Sequence, residues 1–338
     1  MTQLTYTAGE LLADIDYAEP HRAGGQRLHG GFLVDGTYAP PRTKNRVPAL
    51  DAWEAALRER GGEPFGASSE LLVGVRSPSV EQQRVLLRNE LGQVFWNGLT
   101  ITGKIEARGR FLSQLPVPDL QAAIVEDISE MAIGHLDKGL LDAHGLDEGG
   151  EPERGIGGHD AMWFVLRDLA LGPDAYPDIE PEENIGRDEA GKRYMPEIDE
   201  DVERFFAFLA NLLIIEFRAE LGFAETQEIL LTPDLFVGNK AAAETAAEMV
   251  ERIRTDEIIH VRSLNLYLGE LRSLTLRTVD GGTAPGAELV DRFWDGLVRW
   301  ATVEQPPMIA ERQRAGLGAL IARHDDAARV QDEFDRAA

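Results

Sequence analysis

The feature that most constrains the fold of this chain is the segment Phe205–Phe217, which is almost entirely apolar until Glu216. Asp199 precedes it as a helix N-cap and Gly222 follows it as a helix stop, so the pattern predicts a helix over 199–221. Apolar residues share the face of Glu216 one and two turns earlier, which puts its carboxylate in the core. A buried carboxylate is stable only when a cation or hydrogen-bond donors receive it. The segment therefore predicts a buried helix with a specific partner for Glu216.

A second long helix is predicted from about Asn239 to Leu274, and it carries Glu257 and His260 three positions apart. This spacing places both side chains on one helix face. The same face carries the apolar residues Ile253, Val261 and Leu264. A Glu-x-x-His pair on a bundle helix can give two ligands to a single metal ion. The alternative is a hydrogen-bonded Glu–His pair in the core.

For Glu216 the alternative to a metal is an arginine from another helix, such as Arg254 or Arg262, because Arg218 is too close in sequence to face it. Arginine is abundant, and lysine occurs only at five positions: Lys44, Lys104, Lys138, Lys192 and Lys240. Guanidinium groups pair well with carboxylates. A metal-free helical binding or scaffold protein with buried Glu–Arg pairs therefore stays open, as does a degenerate bundle with a single metal.

A further long helix is predicted to begin at Ser77-Pro78, where serine is a good cap and proline a good first residue, and to end near Leu112. It carries Glu90, which, like Glu216, is a carboxylate among apolar residues. The neighbours of Glu90 on the faces it shares are apolar: Leu86, Leu87, Val94 and Phe95. Glu90 is therefore a candidate for the same buried site.

The helix predicted from Asp119 to about Leu141 offers Glu126, Glu130 and His135. His135 lies five residues after Glu130, about 140° further round a regular helix. The two reach one face only through a π-bulge, a distortion common at functional sites that Gly134 would ease. The alternative is that His159, at the start of the next short helix, supplies the imidazole. The remaining histidines, His21, His29, His144 and His324, are predicted to lie at the surface or among polar neighbours.

No strong strand alternation follows residue 80, so the body is predicted to be all-α. Residues 1–76 are rich in Gly and Pro and predict a loop-rich extension with a short hairpin and a helix near Leu50–Arg60. Residues 77–275 form the predicted helical bundle, interrupted by an irregular excursion over 147–198. Residues 276–338 hold two predicted C-terminal helices, 287–303 and 307–335, that pack on the bundle.

Composition limits the chemistry. The chain of 338 residues has 34 Lys and Arg against 59 Asp and Glu, a formal charge of −25, and this argues against nucleic acid or an anionic membrane as a partner. Cysteine is absent, so a metal would have to be held by imidazole and carboxylate groups. No apolar run reaches the ~20 residues of a membrane span, and the N-terminus lacks the basic start of a signal peptide. We expect a cytoplasmic protein.

Four predicted helices carry, in order, a lone Glu, an acidic segment with a His, a lone Glu, and Glu257-Ile-Ile-His260. This order resembles the ferritin-like diiron-carboxylate superfamily over about residues 78–275. The resemblance implies a ferritin-like four-helix bundle. It implies the following metal ligands: Glu90, Glu126, Glu130, His135, Glu216, Glu257 and His260. It also implies that Asp256 accepts a hydrogen bond from a ligand imidazole and orients it.

The implied cofactor is a pair of iron ions, with a mixed Mn/Fe pair also open. The implied function is an O2-using oxidoreductase that hydroxylates, desaturates or N-oxygenates a small organic substrate. Its partners would be that substrate, O2 and an electron donor, and a homodimer is a family-level expectation. The extension, the excursion and the C-terminal helices favour a shaped substrate pocket over iron storage.

Overall fold

The computed structural model describes residues 2–74, 78–183, 185–188 and 191–338. In these residues the chain is mostly helical, as the sequence predicts. The helices are α1 (Ala8–Leu11), α2 (Arg46–Glu59), α3 (Val80–Arg88), α4 (Gln93–Gly109), α5 (Leu120–Ala123), α6 (Leu140–Gly149), α7 (His159–Leu171), α8 (Glu200–Leu230), α9 (Lys240–Ser273), α10 (Gly286–Arg299), α11 (Gln305–Ile321) and α12 (Ala327–Arg336). The strands are β1 (Glu19–Ala23), β2 (Gln26–Phe32), β3 (Tyr38–Ala39), β4 (Ile156–Gly157), β5 (Thr275–Arg277) and β6 (Thr283–Pro285).

The two longest helices, α8 and α9, pack side by side and carry much of the core. Helix α8 starts where predicted, with the Asp199 carboxylate accepting the N–H groups of the first turn. It does not stop at Gly222 but continues to Leu230. A glycine inside a helix costs about 1 kcal/mol, whereas full burial of one large apolar side chain gains about 1.5–3 kcal/mol. The extension buries Phe223 and Ile229 among others, and so outweighs the glycine.

The predicted helix 77–112 is two helices, α3 and α4. Ser79 caps α3 and forms a capping box with Gln82, while the predicted cap Ser77 lies outside the described residues. Glu90 has a positive φ of 59° and lies exposed in the turn between the two helices. A left-handed backbone conformation cannot continue a helix. The chain therefore turns at the residue that was predicted to point into the bundle.

The predicted helix 119–141 does not form. Residues 119–141 are all described, and they hold the short α5, an irregular stretch and a 3-10 segment, Ala132–Lys138. Gly134 has a packing role, because a Cβ there would lie 2.0 Å from the carbonyl oxygen of Ile128. The expected π-bulge is absent from this segment. Helix α6, at 140–149, follows it instead and reaches the centre of the molecule.

The N-terminal residues, predicted as a loop-rich extension with a short hairpin and a helix, contain a small sheet. Strands β1 and β2 are an antiparallel hairpin, β3 adds to β2, and β4 pairs in parallel with β2. This last pairing ties the loop after α6 to the hairpin. The predicted helix near 50–60 is α2. The sheet therefore lies directly beside the helices that follow it in sequence.

At the C-terminus, the predicted helix 307–335 divides into α11 and α12. Helix α12 packs on α3 of the same chain through Val330 and Phe334, which lie with Leu86 in one apolar cluster. Along the part of the chain that the structure describes, no helix is both long and apolar enough for a membrane span.

Candidate metal centre

Five helices bring a cluster of histidine and carboxylate side chains together in the interior. None of these residues is more than 6 % exposed. The members are Glu106 on α4, His144, Asp147 and Glu148 on α6, His159 on α7, Glu216 on α8, and Asp256, Glu257 and His260 on α9, with His29 of β2 beside them. So many ionisable groups remain buried only when they are paired or bind metal.

Helix α9 contributes the Glu257 and His260 pair that the sequence predicts. The Nδ1 atom of His260 lies 2.9 Å from an oxygen of Glu257 and 3.1 Å from an oxygen of Glu148. Its Nε2 atom lies 3.0 Å from Asp147. Such a carboxylate fixes the orientation and the tautomer of an imidazole. The Nδ1 side of His260 therefore faces the centre of the cluster.

Asp147 is held in turn by the N-terminal segment. Arg42 and Arg46 place guanidinium nitrogens 2.6 Å and 2.7 Å from its two carboxylate oxygens. All three side chains are buried. Their charges hold the pKa of Asp147 well below its usual range, even though burial alone would raise it. Asp147 is therefore an ionised acceptor for His260.

His159 occupies a matching position on the other side. Its Nδ1 atom lies 3.1 Å from Glu257 and 3.5 Å from Glu106, and its Nε2 atom lies 3.1 Å from Asp256. Asp256 precedes Glu257 on α9, just as Asp147 precedes Glu148 on α6. Asp147 thus orients the imidazole of His260, which lies beside Glu257. In the same way, Asp256 orients the imidazole of His159, which lies near Glu148. Asp256 also accepts a hydrogen bond of 3.0 Å from the hydroxyl of Tyr38.

His159 reaches this position because the chain closes back on α6. After α6 ends, residues 150–157 form a loop whose ends are tied by a bridge between Glu151 and Ile156. Gly158 then lies over the last turn of α6, where a Cβ would lie 2.4 Å from the nitrogen of Gly150 and 2.6 Å from the carbonyl oxygen of Glu148. The loop therefore separates Glu148 and His159 in sequence while the backbone keeps them adjacent in space.

We expect Gly158→Ala to disturb this closure. The added methyl group meets backbone atoms, and such overpacking costs about 1–3 kcal/mol. We expect His159 to shift with it, so that any metal ion this imidazole would hold is bound less well. Elemental analysis and thermal unfolding measure both effects. The control is Gly155→Asn in the same loop, where an added Cβ meets no atom within 4 Å and the positive φ of 65° suits asparagine. Equal behaviour of the two variants would contradict the packing role of Gly158.

Three groups of potential ligands lie in the described residues of the cluster. One consists of His29, His159 and Asp256, and the other two share Glu148. The Glu106 group consists of Glu106, Glu148, His159 and Glu257, and the Glu216 group consists of His144, Glu148, Glu216 and His260. In each group, one ligand atom from every member lies within 4.8 Å of the others. Glu148 belongs to both the Glu106 group and the Glu216 group. Glu257 also spans them, since one of its oxygens faces His159 and the other faces His260.

Three buried atoms of the Glu106 and Glu216 groups have no hydrogen bond of acceptable geometry: Oε1 of Glu148, Nδ1 of His159 and Oε1 of Glu257. Beside them, Oδ1 of Asp256 and both ring nitrogens of His29 also have none. A buried polar atom without a partner costs about 1–3 kcal/mol. Oxygen and imidazole nitrogen are the donors that first-row divalent ions accept in cysteine-free sites. The unsatisfied atoms and the donor set both fit bound metal.

The charge of the cluster fits two divalent ions. Its six carboxylates are Glu106, Asp147, Glu148, Glu216, Asp256 and Glu257. The guanidinium groups of Arg42 and Arg46 balance two of them. With neutral imidazoles, four negative charges remain, which is the charge that two divalent cations neutralise. Buried charge without such compensation is strongly destabilising.

Without metal, protons take over part of this balance. Burial and then the charge of Glu257 raise the pKa of Glu216 to about 7. Burial and the adjacent Glu148 raise the pKa of Glu106 well above its usual range. Burial opposes charge on His260, but the carboxylate of Glu257 outweighs it and the pKa of His260 is raised. A metal ion at this cluster would therefore compete with protons for the same atoms.

Comparison with protein-family models, with curated proteins and with solved structures finds no match to this chain. The interpretation of the cluster therefore depends on its geometry and chemistry.

Four of the residues singled out in the sequence lie in the cluster: Asp256, Glu216, Glu257 and His260. His159, the alternative source of the imidazole, also lies there. The partner of Glu216 is His144, with Nε2 2.9 Å from Oε1. Arg254 and Arg262, the alternative partners for Glu216, pair elsewhere: Arg254 contacts Gln227 and Glu251, and Arg262 contacts Asp51 and Glu54.

The structure does not bring the other four predicted ligands to the cluster. Glu90 lies exposed in the turn after α3. Glu126 accepts the backbone N–H of Thr275. Glu130 lies exposed in the irregular stretch after α5. His135 is buried but satisfied, since Tyr6 donates a backbone N–H to its Nε2 atom and its Nδ1 atom lies 2.7 Å from a backbone carbonyl. The assignment of these four as ligands is corrected, because the helices that were to carry them do not form as predicted.

The sequence reasoning missed Glu106, His144, Asp147 and Glu148. It also placed His21 and His29 at the surface, although both are buried, as is His144. One signal was present, since Asp147-Glu148 repeats Asp256-Glu257. In so acidic a chain this dipeptide is common; it also occurs at Asp188, Asp199 and Asp332. Glu106 follows Lys104 and precedes Arg108, and this polar setting gives no indication of burial.

Proposed function

We propose that this protein is an O2-using oxidoreductase with a two-metal carboxylate–histidine centre of the ferritin-like diiron type. The observation that carries the proposal is the pair of ligand groups that share Glu148. In chain order, α4 offers Glu106, α6 and α7 offer Glu148 and His159, α8 offers Glu216, and α9 offers Glu257 with His260. This is the ligand order of ferritin-like bundles, with a loop inserted between the second Glu and its His.

In this proposal Glu106 and His159 hold one ion and Glu216 and His260 hold the other. Glu148 and Glu257 lie between the two positions. Four carboxylates with imidazoles suit iron, and a Mn/Fe pair is compatible with the same donors. Bound iron would supply redox chemistry with O2 for hydroxylation, desaturation or N-oxygenation of a substrate, with electrons from an external donor.

The protein's own residues fix the ligands and exclude water. Asp147 and Asp256 accept the Nε2 protons of His260 and His159, which leaves both Nδ1 atoms as ligands. Arg42 and Arg46 keep Asp147 ionised. The burial of the whole cluster removes bulk water from the reacting groups, which strengthens electrostatic interactions there.

A cavity of about 270 Å³ between α4 and α8 reaches Glu106. Its lining includes the apolar residues Phe95, Leu99, Ile105, Ile215 and Phe223 and the polar or charged residues Thr102, Arg218, Glu225 and Thr226. Ligand pockets are mostly apolar with a few polar groups that orient the ligand, and most exceed about 300 Å³. The cavity supports a small, mostly apolar organic substrate that reaches the cluster from the side of Glu106.

A metal-free scaffold protein is the competing function. It requires buried Glu–Arg pairs, whereas in the described residues the carboxylate–arginine pairs with both partners buried are those of Asp147 with Arg42 and Arg46. Glu216 and Glu257 face histidines instead. The contacts of these two glutamates favour a metal centre over a scaffold.

The test is anaerobic loading of the purified full chain with Fe²⁺, followed by elemental analysis and exposure to O2. We expect about two irons per chain and a transient absorption band that depends on oxygen. Glu257→Ala should bind less metal and lose the band, whereas Glu251→Gln, an exposed change on the same helix, should leave both unchanged. Absence of bound iron in the wild-type protein would overturn the proposal.

A further inference from the structure

The two ligand groups differ in their nitrogen donors. The Glu106 group contains one imidazole, that of His159, and the Glu216 group contains two, those of His144 and His260. Both groups share the carboxylate of Glu148. If both hold metal, the two positions are chemically different.

His144 is placed as a ligand by its own helix. It lies four residues before Glu148 on α6, so both side chains project from one face toward the cluster. Its Nε2 atom lies 2.9 Å from Glu216 and 3.6 Å from Glu148. Only 4 % of the residue is exposed.

The ring of His144 is also fixed in orientation. It stacks on the ring of His260 at a centroid distance of 3.9 Å and an interplanar angle of 19°. The two imidazoles therefore present nitrogen atoms to the same space, next to Glu216 and Glu148. A hydrogen bond to Glu216 alone would not require the rings to share this direction.

Donor chemistry sets the preference of each position. Imidazole suits iron and later divalent metals, whereas carboxylate oxygen suits manganese. Intrinsic affinity also rises from Mn²⁺ to Fe²⁺ for a given nitrogen-containing site. An added imidazole therefore strengthens Fe²⁺ binding more than Mn²⁺ binding.

We infer that His144 is an additional metal ligand and that the Glu216 group binds Fe²⁺ in preference to Mn²⁺, while the Glu106 group discriminates less. This inference rests on the proposed two-metal centre. The bundle motif usually supplies four carboxylates and two histidines. His144 is an imidazole outside that set, and it would give the two metal positions different numbers of nitrogen ligands.

The experiment is anaerobic loading of metal-free full-length protein with equal, excess concentrations of Fe²⁺ and Mn²⁺. Crystals of the product are then measured at the iron and manganese absorption edges, which gives the metal ratio at each position. We expect the Fe/Mn ratio at the Glu216 group to exceed that at the Glu106 group by about tenfold. Coordination of His144 Nε2 is seen directly in the same density.

The variant His144→Gln keeps a hydrogen-bond donor for Glu216 but removes the imidazole. We expect either similar Fe/Mn ratios at both positions or loss of metal from the Glu216 group alone; both support a ligand role. The control, His324→Gln, changes a histidine far along the chain in the segment between α11 and α12 and should behave as wild type.

Two metals with equal Fe/Mn ratios in the wild type would overturn the inference and leave the two-metal centre intact. If the two positions of His144→Gln still differ in Fe/Mn ratio as in the wild type, the inference is also overturned, because His144 would then be only a hydrogen-bond donor. A wild-type protein that binds neither metal would overturn the proposed function itself.

Discussion

Glu148→Gln will reduce the metal content from about two ions per chain to less than one. Glu148 is the residue common to both ligand groups. One of its oxygens lies 3.1 Å from His260 and the other lies 3.7 Å from His159. A glutamine amide nitrogen cannot bind a metal ion, and the substitution also removes one of the four negative charges that two cations would balance. Elemental analysis after anaerobic Fe²⁺ loading measures the result.

Two further variants make this result specific. Glu106→Gln alters only one group, so its metal content should fall by about one ion per chain. Glu153→Gln changes an exposed carboxylate in the loop after α6 that pairs with Arg110, and it should retain both ions. If Glu148→Gln and Glu106→Gln lose the same amount of metal, Glu148 does not bridge the two positions.

The parts of the site that the sequence predicts are those on long, regular helices. Glu216 and the Glu257–His260 pair stand out because helical periodicity alone places them on apolar faces. That periodicity also predicts the start of α8 and both ends of α9 to within a few residues. Even there the local pattern ends α8 nine residues early, because it stops the helix at Gly222 whereas the helix continues to Leu230.

The other half of the site depends on tertiary contacts that a local pattern does not contain. Glu148 and His159 are eleven positions apart, and only the packing of Gly158 on the last turn of α6 makes them neighbours. Glu90 lies among apolar residues in sequence, yet its positive φ ends the helical path there. The chain thus keeps two ligands near each other in space by a route that the spacing of residues does not reveal.

The N-terminal segment shows the same limit. Its Gly-rich sequence predicts loops and a short hairpin, but it does not indicate that β2 also pairs with β4 or that His29 lies 3.1 Å from Asp256. Arg42 and Arg46 enter from the same segment to hold Asp147. These contacts are long-range in sequence and come from residues of ordinary local character. The segment serves as part of the wall of the cluster.

Glu216→Gln will make the metal-free protein more stable at pH 8. It will also reduce the stabilisation that added metal produces. The unfolded carboxyl has its usual pKa near 4.5, whereas burial and the charge of Glu257 raise the folded value to about 7. The folded state therefore holds the proton more tightly, and the stability of the wild type falls as pH rises from about 4.5 through 7. Glutamine does not ionise, so the variant avoids this loss.

The expected gain in free energy of unfolding at pH 8 is about 1–3 kcal/mol, or several degrees in Tm at about 2–4 °C per kcal/mol. At pH 5 the gain should be small, because Glu216 is then largely protonated in the folded protein. Thermal unfolding in the presence of a chelator at the two pH values measures this. Glu228→Gln, an exposed change on the same helix, is the control and should show no such pH dependence.

Added metal should reverse which of the two proteins, wild type or Glu216→Gln, is the more stable. A ligand at a thousand times its Kd stabilises the folded state by about 4 kcal/mol, and the wild type gains this at the Glu216 group while the variant gains less. The wild type should therefore unfold at the higher temperature once Fe²⁺ is added anaerobically. A variant that is destabilised equally with and without metal would show that Glu216 serves only its hydrogen bond with His144, as a scaffold protein requires. A crossing of the two stabilities identifies Glu216 as a residue whose burial is costly without metal and favourable with it.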